Sequence, residues 1–261
     1  MPNSKKAIHP SGKLGITFTE DDHRYVDDFD IEYTSCTTLV HSAFEPFDAQ
    51  SAAERKSART GIPPEQYIRQ WKENCKRATD DGTRMHENCE HQLLMQFDKM
   101  HKPYDENERR EFRAAWNEVE KIKAAGFICA EPEKLVFSPR FRVAGSIDLL
   151  CSKKEKSYVM IDWKRVKKIS TSGFQGKTGI EFPTRNLQDC NFIHYSLQLS
   201  IYEQILKIEH YIPSDAVVDK WLNVYNMDTE KFDHVHCLDL KYEALAMMAW
   251  NVTCGVCDIP F

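Results

Sequence analysis

Phe141-Arg142-Val143-Ala144-Gly145-Ser146-Ile147-Asp148-Leu149-Leu150-Cys151 and Tyr158-Val159-Met160-Ile161-Asp162-Trp163-Lys164 are two apolar, β-branched runs joined by the polar segment 152–157. Each has the length of a strand, and the join reads as the turn of a hairpin. Side chains alternate between the two faces of a strand. Asp148 is therefore expected to share a face with Ser146 and Ala144, with Val143, Ile147 and Leu149 opposite. In the second run Asp162 and Lys164 share one face, and Val159, Ile161 and Trp163 take the other. Neighbouring strands lie about 4.8 Å apart, so the hairpin brings two carboxylates and an ammonium together. Charge in such apolar strands is costly unless it is paired or bound to metal. Hard oxygen ligands in a small cluster suit Mg²⁺ or Mn²⁺. The ordinary alternative is a surface ion pair between Asp162 and Lys164, with Asp148 as a turn residue.

Around this hairpin the 261 residues divide without a repeat, a low-complexity tract or a Gly/Ser linker, and the economical reading is one continuous domain. Residues 15–34 read as short strands carrying Ile16, Phe18, Tyr25 and Val26. From Thr37 to about Gln96 the pattern is helical, broken at Pro63-Pro64 and again at Asp80-Asp81-Gly82, where Asp81 or Thr83 caps a new helix. Residues 105–124 predict an amphipathic helix with Phe112, Trp116, Val119 and Ile122 on one face. Lys134–Phe137 predicts a strand, 186–208 a helix, Ala216–Tyr225 and the region of Val235 further strands, and Lys241 opens a closing helix. Helices, then a three-strand block, then helix and strand predict an α/β fold around a central mixed sheet. The expected divisions are 1–125 (hairpin plus helical region), 126–225 (sheet core) and 226–261 (strand and helix).

Composition narrows the class. Aromatic residues at 11% and hydrophobic residues at 41% exclude intrinsic disorder. No apolar run approaches the ~20 residues of a membrane span, and the opening MPNSKKAIHPSGK lacks the apolar region of a secretory signal. An intracellular protein, cytoplasmic or nuclear and not secreted, is expected. The net charge of -5 conceals a stripe at 151–170, where seven Lys/Arg face only Glu155 and Asp162. A basic stripe on an acidic body can hold a phosphate backbone, or it can be a solvated loop. The nine cysteines are odd in number and scattered, which fits reduced thiols rather than a disulfide framework.

Gly145-Ser146-Ile147-Asp148, followed by Ile161-Asp162-Trp163-Lys164, resembles the core of the PD-(D/E)XK nucleases. It resembles most the RecB-like branch, which includes the mitochondrial genome maintenance exonuclease, the CRISPR-associated adaptation nuclease and viral and phage exonucleases. Gly82-Thr83-Arg84-Met85-His86 resembles the upstream G-x-x-x-H helix of that branch. Glu133 stands where relatives carry a strand-borne acid, and Gln198-Leu199-Ser200-Ile201-Tyr202 matches the helix box Q-x-x-x-Y. The stretch from Ile16 through His23-Arg24-Tyr25 to Ser35-Cys36-Thr37-Thr38 looks like the start of viral and phage members. The resemblance spans about residues 15–225 and implies a restriction-endonuclease-like core.

The resemblance implies one or two Mg²⁺ or Mn²⁺ ions held by His86, Asp148, Asp162 and the Trp163 backbone carbonyl. Glu133 would serve as auxiliary acid, with Glu131, two residues away, as the alternative. Lys164 would orient and activate the attacking water and neutralise charge on the phosphate. Gln198 and Tyr202, one turn apart on a helix, would lie against the active site and the DNA strand. Arg84, Arg165, Lys167 and Lys168 would hold the substrate backbone, and Phe174 or Trp71 could stack bases. Some relatives hold an iron–sulfur cluster; here Cys254 and Cys257 form a C-x-x-C pair without well-spaced partners beyond Cys190 or Cys237, so free thiols are expected. The expected activity is a DNA exonuclease acting on single strands or ends in viral or phage-type replication, recombination or repair. The alternatives are a structure-specific or RNA-cleaving endonuclease and an inactive, DNA-binding nuclease fold. The sequence contains no P-loop, so a helicase or recombinase would be a separate partner.

Overall fold

The computed structural model describes residues 4–180 and 182–253. Four short strands open the chain: β1 (Ser4–Ile8), β2 (Gly15–Thr19), β3 (Arg24–Asp27) and β4 (Glu32–Ser35). Helices α1 (Cys36–Ser42), α2 (Ala49–Thr60), α3 (Pro64–Leu93) and α4 (Glu106–Ala124) follow. Three longer strands come next: β5 (Cys129–Ser138), β6 (Val143–Lys154) and β7 (Ser157–Lys164). After it come α5 (Asn191–Ile208), β8 (Val217–Asn226), β9 (Lys231–His236) and α6 (Lys241–Thr253).

The helix boundaries have local causes. Ser35, Asp48 and Asp105 accept the backbone N–H three residues on, at 3.0, 3.0 and 2.9 Å, and so cap α1, α2 and α4. Gly61 closes α2 in the left-handed conformation at φ 74, and Pro64 opens α3.

The nine strands among the described residues form one mixed sheet in the order β1-β2-β3-β4-β6-β7-β8-β9, with β5 paired on β6. β7 and β8 are parallel, as are β4 and β6; the other pairs are antiparallel. Helices α1, α5 and α6 bury one face around Ile147, Met160, Leu197, Ile201 and Leu222. Helices α3 and α4 bury the other around Met85, Val119, Leu149, Ile161 and Trp163. This is the expected α/β sandwich with a helical N-terminal part, and four details differ from expectation.

First, α3 runs unbroken for 30 residues through Asp80-Asp81-Gly82. Asp81 does not cap; its carboxylate pairs with Arg84 at 3.0 Å and Arg165 at 3.0 Å. Gly82 costs the helix about 1 kcal/mol relative to alanine, which the packing of its C-terminal half on the sheet outweighs. Second, α4 buries Glu111, Ala115, Glu118, Val119 and Ile122, leaving Phe112 and Trp116 half-buried at the margin. The buried glutamates have partners: Glu118 accepts from Asn223 at 3.1 Å and lies 2.6 Å from His234. Third, α5 begins at Asn191, not 186, with Cys190 at its N-cap. Fourth, β1 was not legible as a strand, since Ser-Lys-Lys-Ala-Ile carries little apolar signal.

Tyr202 of α5 presses on β6 at Gly145. A Cβ there would stand 2.6 Å from the Tyr202 ring, closer than any real contact. Gly145→Ala should therefore cost about 1–3 kcal/mol through forced displacement of ring or strand. The urea midpoint measures this, and an unchanged midpoint would show that the ring does not fix the strand.

Candidate active site

β6 exchanges partners along its length. β5 covers one edge from Ser138 to Cys129. The other edge pairs with β4 at Val143 and Ala144 and with β7 from Leu149 onward. Residues 145–148 thus face a gap where β4 has ended and β7 has diverged, and Asp148 stands at the fork. Its Oδ2 accepts the Trp163 backbone N–H at 2.8 Å, bridging the opening.

The side-chain alternation slips here. Val143, Ile147 and Leu150 pack with α5, but Leu149 and Cys151 pack with α3 and α4. Ile147 and Leu149 therefore do not share a face, contrary to strict alternation. The register on either side, Pro132 opposite Leu149 and Lys134 opposite Ile147, sets Glu133 across from Asp148. Glu133 has φ 47, a left-handed backbone that costs a non-glycine residue roughly 1–3 kcal/mol and clusters at functional sites. The kink turns its carboxylate into the gap, where Ser146 Oγ donates to it at 2.8 Å.

Helix α3 supplies the third group. His86 Nδ1 lies 3.3 Å from Asp148 Oδ2. One ligand atom each from His86, Glu133 and Asp148 meet within 4.8 Å of one another. The Trp163 backbone also contacts the His86 ring in the sense that favours its protonated form, as a carbonyl acceptor does. Asp162 is 2% exposed. It lies beside this trio rather than in it, with Oδ2 2.6 Å from Lys164 Nζ. Lys164 in turn sits 4.9 Å above the Tyr195 ring.

The electrostatics follow from this crowding. Burial, then the charge of Asp162, push the Asp148 carboxyl up to about 8. Burial, then Asp148, push Glu133 up to about 7, with Lys5 and the Ser146 hydroxyl opposing. Burial and the nearby Lys164 lower His86, which keeps its ring neutral with a lone pair to offer. Burial opposes the charge on Lys164, but Asp162 and Asp148 together outweigh it and raise its pKa. An imidazole nitrogen and two carboxylates that repel each other are a donor set for a divalent cation, whose charge relieves the repulsion.

The other expected residues are placed as follows. Glu131 is exposed and ion-paired with Lys134, so Glu133 is the acid at the cluster. Gln198 Nε2 donates to the Tyr202 hydroxyl at 3.2 Å. Tyr202 is 3% exposed, so it supports β6 from beneath and cannot touch a substrate strand. Arg84 is engaged by Asp81, Glu108 at 3.2 Å and Glu111 at 3.7 Å. Arg165 is engaged by Glu111 at 2.5 Å and by Asp81. These two guanidiniums knit α3, α4 and the end of β7 together instead of standing free for phosphate. Lys167 and Lys168 are exposed, as is Phe174, while Trp71 stacks with Tyr67 far along α3. Cys190 and Cys237 are buried free thiols; Cys254 and Cys257 lie outside the described residues.

Sequence reasoning missed Tyr195, Ser146 and Lys5. Tyr195 had a signal, since it lies on one helical stripe with Gln198 and Tyr202. Ser146 shares the Asp148 face in the hairpin. Lys5 had none, because its strand was not read.

The family model described as the PD-(D/E)XK nuclease superfamily matches residues 22–217. The chain belongs to this superfamily of divalent-metal-dependent nucleases. The match contains all three residues of the trio together with Asp162, Lys164 and the Gln198–Tyr202 pair. None of the curated proteins matches the chain. Among solved structures, a crystal structure of a “putative exonuclease” from Eubacterium rectale is similar at 16% identity and a TM-score of 0.31. The match covers 53% of this chain and 51% of that one, so the chain spans about half the length of that protein. No helix among the described residues is long and apolar enough to cross a membrane.

The raised carboxyls of this superfamily member make a signed prediction for the metal-free protein. In the unfolded chain Asp and Glu lose their protons near pH 4, whereas folded Glu133 and Asp148 keep theirs to about 7 and 8. The folded state binds more protons across that interval, so their stabilising contribution is present at low pH and lost as pH rises through the folded values. In EDTA the urea midpoint should fall from pH 6.5 to 8.5, and Asp148→Asn should flatten the fall. A variant that falls as steeply as the native protein would contradict the assignment.

Proposed function

We propose that this nuclease is a DNA exonuclease of the RecB-like branch, acting on single-stranded DNA or DNA ends in viral or phage-type replication, recombination or repair. The observation that carries the reading is the meeting of His86, Glu133 and Asp148 beside the Asp162–Lys164 pair at an open fork in the sheet. His86, Glu133, Asp148, Asp162 and the Trp163 carbonyl would hold one or two divalent ions. A divalent cation at this position supplies Lewis-acid polarisation of the phosphoryl group and a lowered pKa for water.

The chain's own residues do the rest. Lys164 is held protonated by its carboxylate neighbours, so it acts as a donor and a positive charge. From that position it orients the attacking water and stabilises charge developing on the phosphate. Asp162 and the Tyr195 ring fix its ammonium. Glu133 and Asp148 give up their protons when the site loads, which couples metal affinity to pH. Asp162, besides its place in that donor set, holds the Lys164 ammonium at 2.6 Å. Exposed Lys167 and Lys168, directly after the catalytic strand, hold the substrate backbone. Arg84 and Arg165 act through the ion pairs that set α3 against β7, and Gln198 and Tyr202 act through Gly145. The imidazole in the donor set favours Mn²⁺ over Mg²⁺. Any helicase or recombinase partner would supply unwinding or strand delivery.

A time course on end-labelled single- and double-stranded DNA and RNA oligonucleotides, with free and blocked ends, tests the reading. Stepwise release from free ends of DNA supports it; internal cleavage of blocked substrates, or cleavage of RNA alone, overturns the exonuclease assignment. Asp148→Asn and Asp162→Asn should abolish cleavage, and EDTA should stop it until Mn²⁺ is restored. Lys164→Ala should lower kcat by roughly 10²–10³ with KM little changed. An equal loss in affinity would mark Lys164 as a binding residue.

A further inference from the structure

A groove of about 560 Å³ lies between β1 and β5 and opens at one end onto Glu133. Its walls are strand edges. Among the described residues β1 is the terminal strand of the sheet, and β5 pairs only with β6. The far end is bounded by Tyr211, whose hydroxyl accepts the Phe137 N–H at 3.2 Å. The His9 ring packs edge-on at 5.3 Å from Phe137 and 5.8 Å from Tyr211. The groove thus runs from Glu133 of the candidate metal cluster toward Tyr211.

Three lysines line it: Lys5, Lys6 and Lys134. Lysine on an edge strand commonly serves to discourage edge-to-edge pairing, and exposed Lys6 alone would need no other explanation. Lys5 is different, because it points inward, with Nζ 3.4 Å from Glu90 and 3.8 Å from Glu133. Lys134 comes from the opposite wall, and its present partner is the exposed Glu131. Cations therefore stand on both walls within reach of the residue that joins groove to cluster. The volume falls within the ~300–1,000 Å³ of small-ligand sites. That is room for a nucleotide or two of single strand and not for a duplex.

We propose that this groove receives the nucleotides on one side of the scissile phosphate as a single strand, with Lys6 and Lys134 on its phosphates and Lys5 held by Glu20, Glu90 and Glu133 at the cluster end. The proposal rests on the nuclease reading and sharpens it, since it gives the strand beside the scissile phosphate a path along β1 and β5. Ile8 and Leu135 supply apolar wall along the same path. As phosphate enters, Lys134 exchanges an exposed carboxylate for it, and Lys5 keeps Glu133 in place.

Binding of a fluorescein-labelled single-stranded 12-mer in EDTA, followed by anisotropy from 50 to 300 mM NaCl, tests this without cleavage. The Lys6→Ala/Lys134→Ala double variant should bind at least about fivefold more weakly at low salt. Its slope of log affinity against log salt should be shallower by about 1.4, the release of two counterions from a single strand. Lys231→Ala, at the opposite edge of the sheet, should leave both unchanged. Should the alanine variant misfold by circular dichroism, Lys6→Gln/Lys134→Gln keeps the side-chain stems and is expected to give the same losses. Unchanged affinity and slope in the double variant, or no measurable binding by the native protein, overturns the groove. A native protein that binds the 12-mer but cleaves nothing in Mn²⁺ overturns the nuclease reading instead.

Discussion

Three carboxylates crowd the fork between β6 and β7, and the rest of the architecture answers their repulsion. Two unit charges within 4.8 Å repel by about 3–4 kcal/mol at an effective dielectric of about 20. That is comparable to a large share of a domain's total stability. The chain meets it with groups drawn from distant parts of the sequence. Helix α3 brings a neutral His86, β7 brings Lys164 and β1 brings Lys5. Burial and mutual repulsion push both carboxyls toward the protonated form, and a divalent cation would relieve that repulsion.

Holding these groups in register is the task of a second set of charges behind the site. Asp81 and Arg84 of α3, Glu111 of α4 and Arg165 just past β7 form one connected network. Arg84 lies two residues from His86, and Arg165 follows Lys164. These ion pairs tie α3 to α4 and to the end of β7 beside His86 and Lys164. On the opposite face, Tyr202 fills the place a side chain at Gly145 would take. The fork is thus clamped by charge on one side and by contact on the other.

The hairpin of β6 and β7 was legible because both runs are apolar and strand-length with a polar turn between them, whereas Asp162 lies beside the His86–Glu133–Asp148 trio and not in it. His86, Glu133 and the Gln198–Tyr202 box were legible only through family resemblance, since no local pattern ties a helix near residue 86 to a strand at 148. What alternation could not give was the slip at Asp148. The slip arises from Glu133 adopting a left-handed backbone across the ladder, a tertiary choice that period-two reasoning excludes. The unbroken α3 was hidden by Asp-Asp-Gly, a turn signal overridden by long-range ion pairs. Arg84 and Arg165 looked like substrate ligands because their acidic partners lie far away in sequence. Glu111 and Glu118 were invisible for the mirror-image reason: a buried glutamate reads as a surface one until its partners are in place.

Anomalous diffraction from crystals soaked in Mn²⁺ tests the arrangement most directly. The account predicts a peak bonded at about 2.1 Å by the His86 ring nitrogen and by carboxylate oxygens of Glu133 and Asp148, with Lys164 turned toward its open side. A fully soaked crystal with no peak among these side chains, or with manganese bound to none of the three, would contradict it.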